Sequence, residues 1–361
     1  MSELITADEA LEVTKDNKSF SKVIPGLQTA WDSTSMGALK ECPRKYFYAH
    51  VLGYRGKQNN PHLIFGGWFH SILEFYDHRR SDGAAHYEAQ LAMLRYALDL
   101  TVQRTQRWEC TECHRDVWLP VETADAPSCC MRAMERIEGD VGFLPWESDD
   151  AQKTRSALIR SCFWYTEQFA NDSLTTVQLA NGRPAVELSF RMELPKNTPE
   201  GDLYLACGHL DRVVEMNETQ WVLDRKTTKN TITSRFFEGF SPDNQMSLYT
   251  MAAQVVLNTP ARGVIIDGAQ IGVHFTRFQR GFAMRTKAQL EEFLQDFLHY
   301  IALAEQYAEA RSWPMNDKSC HNYGGCAYRG ICGKDPSVRM RFLQAEHTPS
   351  PWDPLTPRGN I

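Results

Sequence analysis

The sequence predicts an α/β or α+β domain in which helices flank a central mixed β-sheet, and three features of its patterning carry that expectation. Up to about residue 171 the apolar residues recur mainly at helical spacing, as in IFGGWFHSILEFYDHRR, where Phe69, Ile72, Leu73, Phe75 and Tyr76 fall on one face. In AVELSFRMEL the period changes to two: Val186, Leu188, Phe190, Met192 and Leu194 point one way, Glu187, Ser189 and Arg191 the other. Further strand-like segments follow, and KAQLEEFLQDFLHYIALAEQYAEA then reads as a long amphipathic helix.

Taken in order, residues 1–30 lack a strong pattern and are expected to be loosely held. Ser33, Thr34 or Ser35 is placed to cap a helix through MGALKECPRKYFYAHVLG, which Pro43 should bend or split. Segments 86–108 and 150–171 read as helix, with a cysteine-bearing insert at 108–132 between them. DNQMSLYTMAAQVVLN reads as helix and ARGVIIDGAQIGVHF as one or two strands. The Pro-rich tail beyond residue 345 is expected to be loosely attached.

Composition narrows the class. A 361-residue chain with 42% hydrophobic and 23% charged residues can build a full core, and it carries no apolar run of membrane-spanning length. The acidic start MSELITADEALEVTKDNKSF lacks a secretory h-region, so an intracellular, soluble protein is expected. A net charge of −6 gives no global pull toward nucleic acid. Any such attraction must come from local basic surface (CPRKYFYAH, RKTTKNTITSR, SVRMRF) or from bound cations. The sequence has no GxxxxGK[ST] loop for ATP, so unwinding of a duplex would need a separate helicase or recombination partner.

The chemistry concentrates in GHLDRVVEMNETQWVLDRKTT, residues 208–228. If LACGHLDRVVEM and QWVLDRKTT form a hairpin closed at Asn217–Glu218, Met216 faces Thr219 and Asp211 faces Asp224. Lys226 then shares their side of the sheet, because strand side chains alternate. A three-residue loop would instead put the aspartates on opposite faces. Facing carboxylates in a half-buried site repel unless a cation lies between them, and a hard divalent ion with oxygen ligands relieves this. Gln245 and Tyr249 lie one turn apart on the next helix, and His70 follows Gly66 and Gly67 on an earlier one.

GGWFH, GHLDR, VLDRKTT and QMSLY, in that order, resemble the motifs of RecB-type nucleases of the PD-(D/E)XK superfamily. The branch most similar carries an iron–sulfur cluster, as in the AddB nuclease domain, the CRISPR-associated exonucleases and phage relatives. The resemblance covers about residues 33–335 and implies a restriction-endonuclease-like core. It implies that His70, Asp211, Asp224 and the backbone carbonyl of Arg225 hold Mg²⁺ or Mn²⁺, with Lys226 as the lysine of the D/E-x-K motif. Gln245 and Tyr249 correspond to a Q-x-x-x-Y that supports the site and contacts the DNA backbone; Glu187 stands where such nucleases often place another acid. The implied activity is a metal-dependent deoxyribonuclease, an exonuclease before an endonuclease. It would act on single-stranded DNA or free ends in recombination, end processing or phage DNA metabolism. The rival is a nuclease-fold module that binds nucleic acid or recruits a partner without cleaving.

Ten cysteines without a secretory signal point to metal rather than disulfides. CHNYGGCAYRGIC supplies Cys320, Cys326 and Cys332, and a Cys₄ site needs one more thiolate. The resemblance supplies Cys42 and a 4Fe–4S cluster that clamps the N- and C-terminal segments together. Cys110-x₂-Cys113 with Cys129–Cys130 reads as part of a zinc ribbon, with His114 as the alternative to one of the adjacent pair. Cys162 and Cys207 read as core hydrophobes. The expected organisation is therefore an N-terminal segment (1–30), a helical part of the nuclease domain (31–107), the Cys-rich insert (108–132), the core with its C-terminal cysteines (133–335) and a tail (336–361).

Overall fold

Helix α1 (Ser33–Glu41) starts from a capping box in which Asp32, rather than one of the serines, accepts the Ser35 amide. The side chain of Ser35 returns the contact to the Asp32 backbone. At Cys42 the backbone turns extended (φ −162°, ψ 111°). Pro43 then opens a short helix, Pro43–Tyr46, that continues into a wider π turn, so the proline splits the helix as its ring sterics require. This computed structural model describes residues 14–57, 60–121, 123 and 125–356, together with 8, 11 and 12.

Helices α2 (Pro61–Ser81) and α3 (His86–Leu100) follow. The helix expected to run to residue 108 ends instead at Thr101. The chain enters strand β1 (Val102–Glu109), which is chosen by its pairing with neighbouring strands rather than by any alternation in VQRTQRWE. With β2 (Asp116–Pro120) and β3 (Glu135–Pro145), β1 forms a separate antiparallel sheet in the order β2–β1–β3. The insert is thus a β-arm over 102–145, wider than the cysteine-bearing loop.

Helix α4 (Arg155–Gln168) returns the chain to the core, which continues as β4 (Val186–Asn197), β5 (Leu203–Met216) and β6 (Thr219–Thr228). Helix α5 (Asn244–Leu257), strands β7 (Gly263–Ile271) and β8 (Thr276–Met284) and helix α6 (Lys287–Glu309) complete it. The central sheet runs β5–β6–β7–β8, with β4 and the short strands Ala30–Trp31 and Thr175–Thr176 also paired to β5. β6 and β7 are parallel while their other neighbours are antiparallel, so α5 serves as the crossover a parallel pair needs. One apolar cluster joins Phe65, Phe69, Ile72 and Leu73 of α2 to α3, α4 and the end of β7. A second joins α1, α5 and α6 to Val213, Val222, Val264 and Ile266 of the sheet. The result is a mixed sheet between two helical layers.

Both ends of the described chain are held more firmly than expected. Phe20 and Leu27 lie in the core. Near the C-terminus the Trp352 carbonyl accepts from Asn17 Nδ2 at 2.8 Å, and Ser19 Oγ donates to Asp353 at 2.5 Å. Residues 1–7 and 357–361 lie outside the described set. No helix among the described residues is long and apolar enough to cross a membrane.

The hairpin closes as anticipated. Its register runs from Arg212 opposite Leu223 to Met216 opposite Thr219. Asn217 (φ 51°) and Glu218 (φ 59°) are both left-handed, the backbone of a two-residue type I′ turn. Asn tolerates this conformation; Glu does not, and it stands where the turn prefers Gly. Glu218→Gly should therefore raise stability by about 0.5–1 kcal/mol, after the added flexibility of glycine in the unfolded chain is offset. Urea unfolding should show a higher midpoint at an unchanged slope.

Candidate active site and cysteine centres

Continuing the hairpin register by one pair makes Asp211 and Asp224 neighbours across β5 and β6. Both are buried. The Arg225 amide donates to Asp211 Oδ2 at 3.0 Å, and His70 Nδ1 of α2 lies 2.9 Å from the same oxygen. Lys226 Nζ lies 3.1 Å from Asp224 Oδ1 and 2.8 Å from Oδ2, though its contact with Oδ2 is poorly directed and that buried oxygen lacks a formal hydrogen bond. Lys226 also donates to Gln245 Oε1 at 2.8 Å, and Gln245 Nε2 donates to Tyr249 Oη at 3.0 Å. Asp243 caps α5 by accepting from Met246 N–H, which fixes the helix presenting this pair.

These groups floor a cleft of about 1030 Å³, whose walls include Gly66, Gly67 and Trp68 of α2 and the root of the arm at Val102–Arg104 and Trp146. Glu187, the second residue of β4, has φ 48° and is not among the cleft-lining residues.

The electrostatics follow from two acids in one buried place. Burial opposes ionisation of Asp211, but the His70 charge and hydrogen bond, Lys226 and the Arg225 amide outweigh it and hold its carboxyl well below the usual range. Burial, reinforced by the Asp211 charge, raises Asp224 despite Lys226. Burial disfavours protonated His70, yet Asp211 and Asp224 raise it above its ordinary 6.5. Lys226 is likewise raised: burial opposes its charge, and Asp224 and Asp211 outweigh burial. The imidazolium proton and the ammonium thus supply positive charge that the paired carboxylates require. Two carboxylates, one imidazole and a poorly satisfied oxygen at Asp224 Oδ2 form a donor set suited to a hard divalent ion.

The arm cysteines gather as their spacing grouped them. The ligand atoms of Cys110, Cys113, Cys129 and Cys130 all lie within 4.8 Å of one another, the group of that tightness among the described residues. His70, Asp211 and Asp224 do not form a group that tight. His114 stays outside the arm group; its ring bonds Glu109 at 2.9 Å and is 78% exposed. Backbone N–H groups of Cys113 and Glu112 bring the Cys110 thiol down to about 7. At the other centre, Cys42 Sγ accepts the Asn316 amide at 3.3 Å, while Asn316 Nδ2 and Ser319 Oγ both donate to the Glu41 carbonyl. Cys326 N–H donates to the Cys320 carbonyl. Burial raises the Cys326 and Cys332 thiols, and each also feels Cys42. Cys162 and Cys207 are fully buried core residues.

The family model of the PD-(D/E)XK nuclease superfamily matches residues 33–333, and the chain belongs to that superfamily. No curated protein matches. Among solved structures, one titled "Crystal structure of SSO0001" aligns over 49% of this chain and 70% of its own at 14% identity. Its TM-score of 0.27 is too low for that likeness to carry any argument. Membership supports a nuclease-type protein acting on nucleic acid with a divalent metal.

Sequence reasoning missed the charges behind the site. Asp77 lies two helical turns beyond His70 on α2 and is buried. Its Oδ1 meets Arg212 Nη1 at 3.2 Å and its Oδ2 meets Arg225 Nη2 at 2.6 Å. Each of these arginines directly follows one of the hairpin aspartates, so a single carboxylate ties the neighbours of both. Beyond Arg225, the Tyr165 hydroxyl donates to Asp267 Oδ2 at 2.6 Å, and Arg280 bridges Asp267 to Asp172. The doubled Asp-Arg in GHLDR and VLDR was the available signal. Asp77→Ala should cost about 3 kcal/mol by taking the partner carboxylate from the buried Arg225 guanidinium and from the partly buried Arg212 beside it. Denaturant unfolding measures this; a loss under about 1 kcal/mol would mean that the ion pairs contribute little to the native state.

Proposed function

We propose that the protein is a Mg²⁺- or Mn²⁺-dependent deoxyribonuclease that hydrolyses phosphodiester bonds, with single strands bearing a free end as its preferred substrate. The observation that carries this reading is the convergence of Asp211, Asp224 and Lys226 from one hairpin onto the floor of an open cleft. Asp211, Asp224, His70 and the Arg225 carbonyl would hold the metal. When bound, that ion supplies Lewis-acid stabilisation of the phosphate and a more acidic water.

The remaining chemistry belongs to the side chains. Lys226, fixed between Asp224 and Gln245, directs its ammonium to the attacking water and to charge developing on the phosphate. Tyr249 orients the Gln245 amide so that its oxygen faces Lys226. His62 and Arg104 line the same cleft and offer contacts to phosphates on either side of the scissile bond. Cys42, Cys320, Cys326 and Cys332 take a 4Fe–4S cluster that ties segments near the two ends of the chain. The thiols of the arm take Zn²⁺. A helicase or recombination protein would supply unwinding.

End-labelled single-stranded DNA should be degraded only when Mg²⁺ or Mn²⁺ is present, and Asp224→Ala and Lys226→Ala should each slow cleavage by at least about 10²-fold. Binding without cleavage by the wild type would make the protein a nuclease-fold binding module instead. A metal-binding His70 must lose its proton, so cleavage should fall as pH drops through a value above 6.5. A pH profile at subsaturating Mn²⁺ reads this directly. The protein purified without oxygen should be brown and contain iron, which Cys326→Ser should lose; a colourless, iron-free wild type would remove the cluster from this account.

A further inference from the structure

The arm is too small to hold itself. It spans residues 102–145, yet its buried apolar residues are Trp108, Cys110 and Met134, with Val117, Leu119 and Cys129 partly covered. A unit of roughly 40 residues with so little core usually requires a metal, a disulfide or a partner. All four of its cysteines are free thiols. The polar contacts around Arg107, to Glu109, Asp116 and Asp140, are partly exposed ion pairs that add only modest stability.

The thiols collect where the strands end. Cys110 follows β1, Cys113 lies in the turn into β2, and Cys129 and Cys130 precede β3. Two turns bring the sulfurs inward. His114 is left-handed (φ 55°) directly after Cys113, and its amide donates to the Cys110 carbonyl at 2.9 Å. Cys130 (φ 50°) and Met131 (φ 61°) are both left-handed between Cys129 and Arg132. That turn lets adjacent cysteines aim at one point, and non-glycine residues hold such a conformation only where the surroundings demand it. Amides of Glu112 and Cys113 face the Cys110 sulfur.

The opposite end of the same strands is the wall of the catalytic cleft: Val102, Gln103, Arg104 and Trp146 line it. Trp146 packs edge-on against Trp68 at 5.0 Å, two residues before His70 on α2. An eight-residue strand, roughly 26 Å long, therefore connects the cysteine knot to the site.

We propose that Cys110, Cys113, Cys129 and Cys130 bind one Zn²⁺ as a closed four-thiolate site, and that this ion is a remote clasp keeping the arm's root in place as a wall for the DNA strand. The clasp role rests on the nuclease reading; the zinc assignment does not. Binding forms four Zn–S bonds and releases to solvent one proton from each sulfur still protonated, with no change of oxidation state.

Metal analysis of the full-length protein should find about one zinc per chain, the ligand count of a single four-coordinate site. Cys113→Ser and Cys130→Ser should lose zinc and keep the wild-type iron content, whereas His114→Ala should keep both. Cobalt substituted for zinc should show the visible and thiolate charge-transfer bands of a tetrahedral site. Chelation should speed tryptic cutting within the arm, at Arg107, Arg115, Arg132 or Arg136. For Cys130→Ser, KM on a long single strand should rise about tenfold, the scale of losing one stacked base. Hydrolysis of the p-nitrophenyl ester of thymidine monophosphate, too small to reach the arm, should stay within about twofold of wild type. A zinc-free wild type, zinc retained by both cysteine variants, or zinc lost in His114→Ala overturns the four-thiolate site. Zinc lost with tryptic cutting and KM unchanged overturns the clasp. If the wild type hydrolyses neither substrate, the nuclease reading fails, and the metal and proteolysis results still decide the zinc site and its hold on the arm.

Discussion

Two carboxylates that face each other across a buried hairpin set the terms for the rest of this molecule. Asp211 and Asp224 cannot both ionise there without nearby positive charge. The fold delivers it from two sides: an imidazole from the helix crossing the hairpin, and an ammonium two residues along the same strand. That ammonium is itself held by Gln245, which Tyr249 holds in turn. Each link limits the freedom of the next, so the cleft floor is ordered before any ligand arrives. Preorganisation of this kind is where electrostatic catalysis gets most of its strength.

Behind that floor lies a second layer of charge pointing the other way through the sheet. Arg225 sits between Asp224 and Lys226 in sequence, and strand alternation sends it toward Asp77 and Tyr165 rather than into the cleft. Arg212 does the same one strand over. Asp77 therefore links both hairpin strands to the helix that carries His70. Buried pairs of this sort add little net stability compared with apolar packing, but breaking one is costly. In this chain the pairs also fix the relative position of α2 and the hairpin, which the site requires.

The two cysteine groups sit in unlike settings: Cys326 and Cys332 pack against the main apolar core, and the arm cysteines do not. One lies where residues 41–42 meet 316–320, already joined by the Asn316 and Ser319 hydrogen bonds to the Glu41 carbonyl. The other lies at the tip of an arm with almost no interior. A metal–thiolate site would suit the arm, because it joins strand ends without needing volume to bury. In the proposed nuclease, both groups hold the cleft's surroundings while contributing nothing to bond cleavage.

Much of this was legible in the order of residues. Strand alternation and the length of the 208–228 segment brought Asp211, Asp224 and Lys226 to one face, because a two-residue turn fixes the register of every pair behind it. Cysteine spacing marked the arm group for the same local reason, whereas Cys42 was matched to Cys320, Cys326 and Cys332 only through the family resemblance. Helix periodicity failed at 101–108, where Val102, Thr105 and Trp108 recur at helical spacing over a short run and only pairing with β2 and β3 chose the strand. The ends of the chain also looked loose until Phe20, Leu27 and Trp352 found partners far away in sequence. What local order determined was therefore which groups share a face. Tertiary packing alone decided that His70 closes on Asp211, that Asp77 binds both arginines, and that the arm's root walls the cleft, because each depends on contacts between segments tens to hundreds of residues apart that no local spacing encodes.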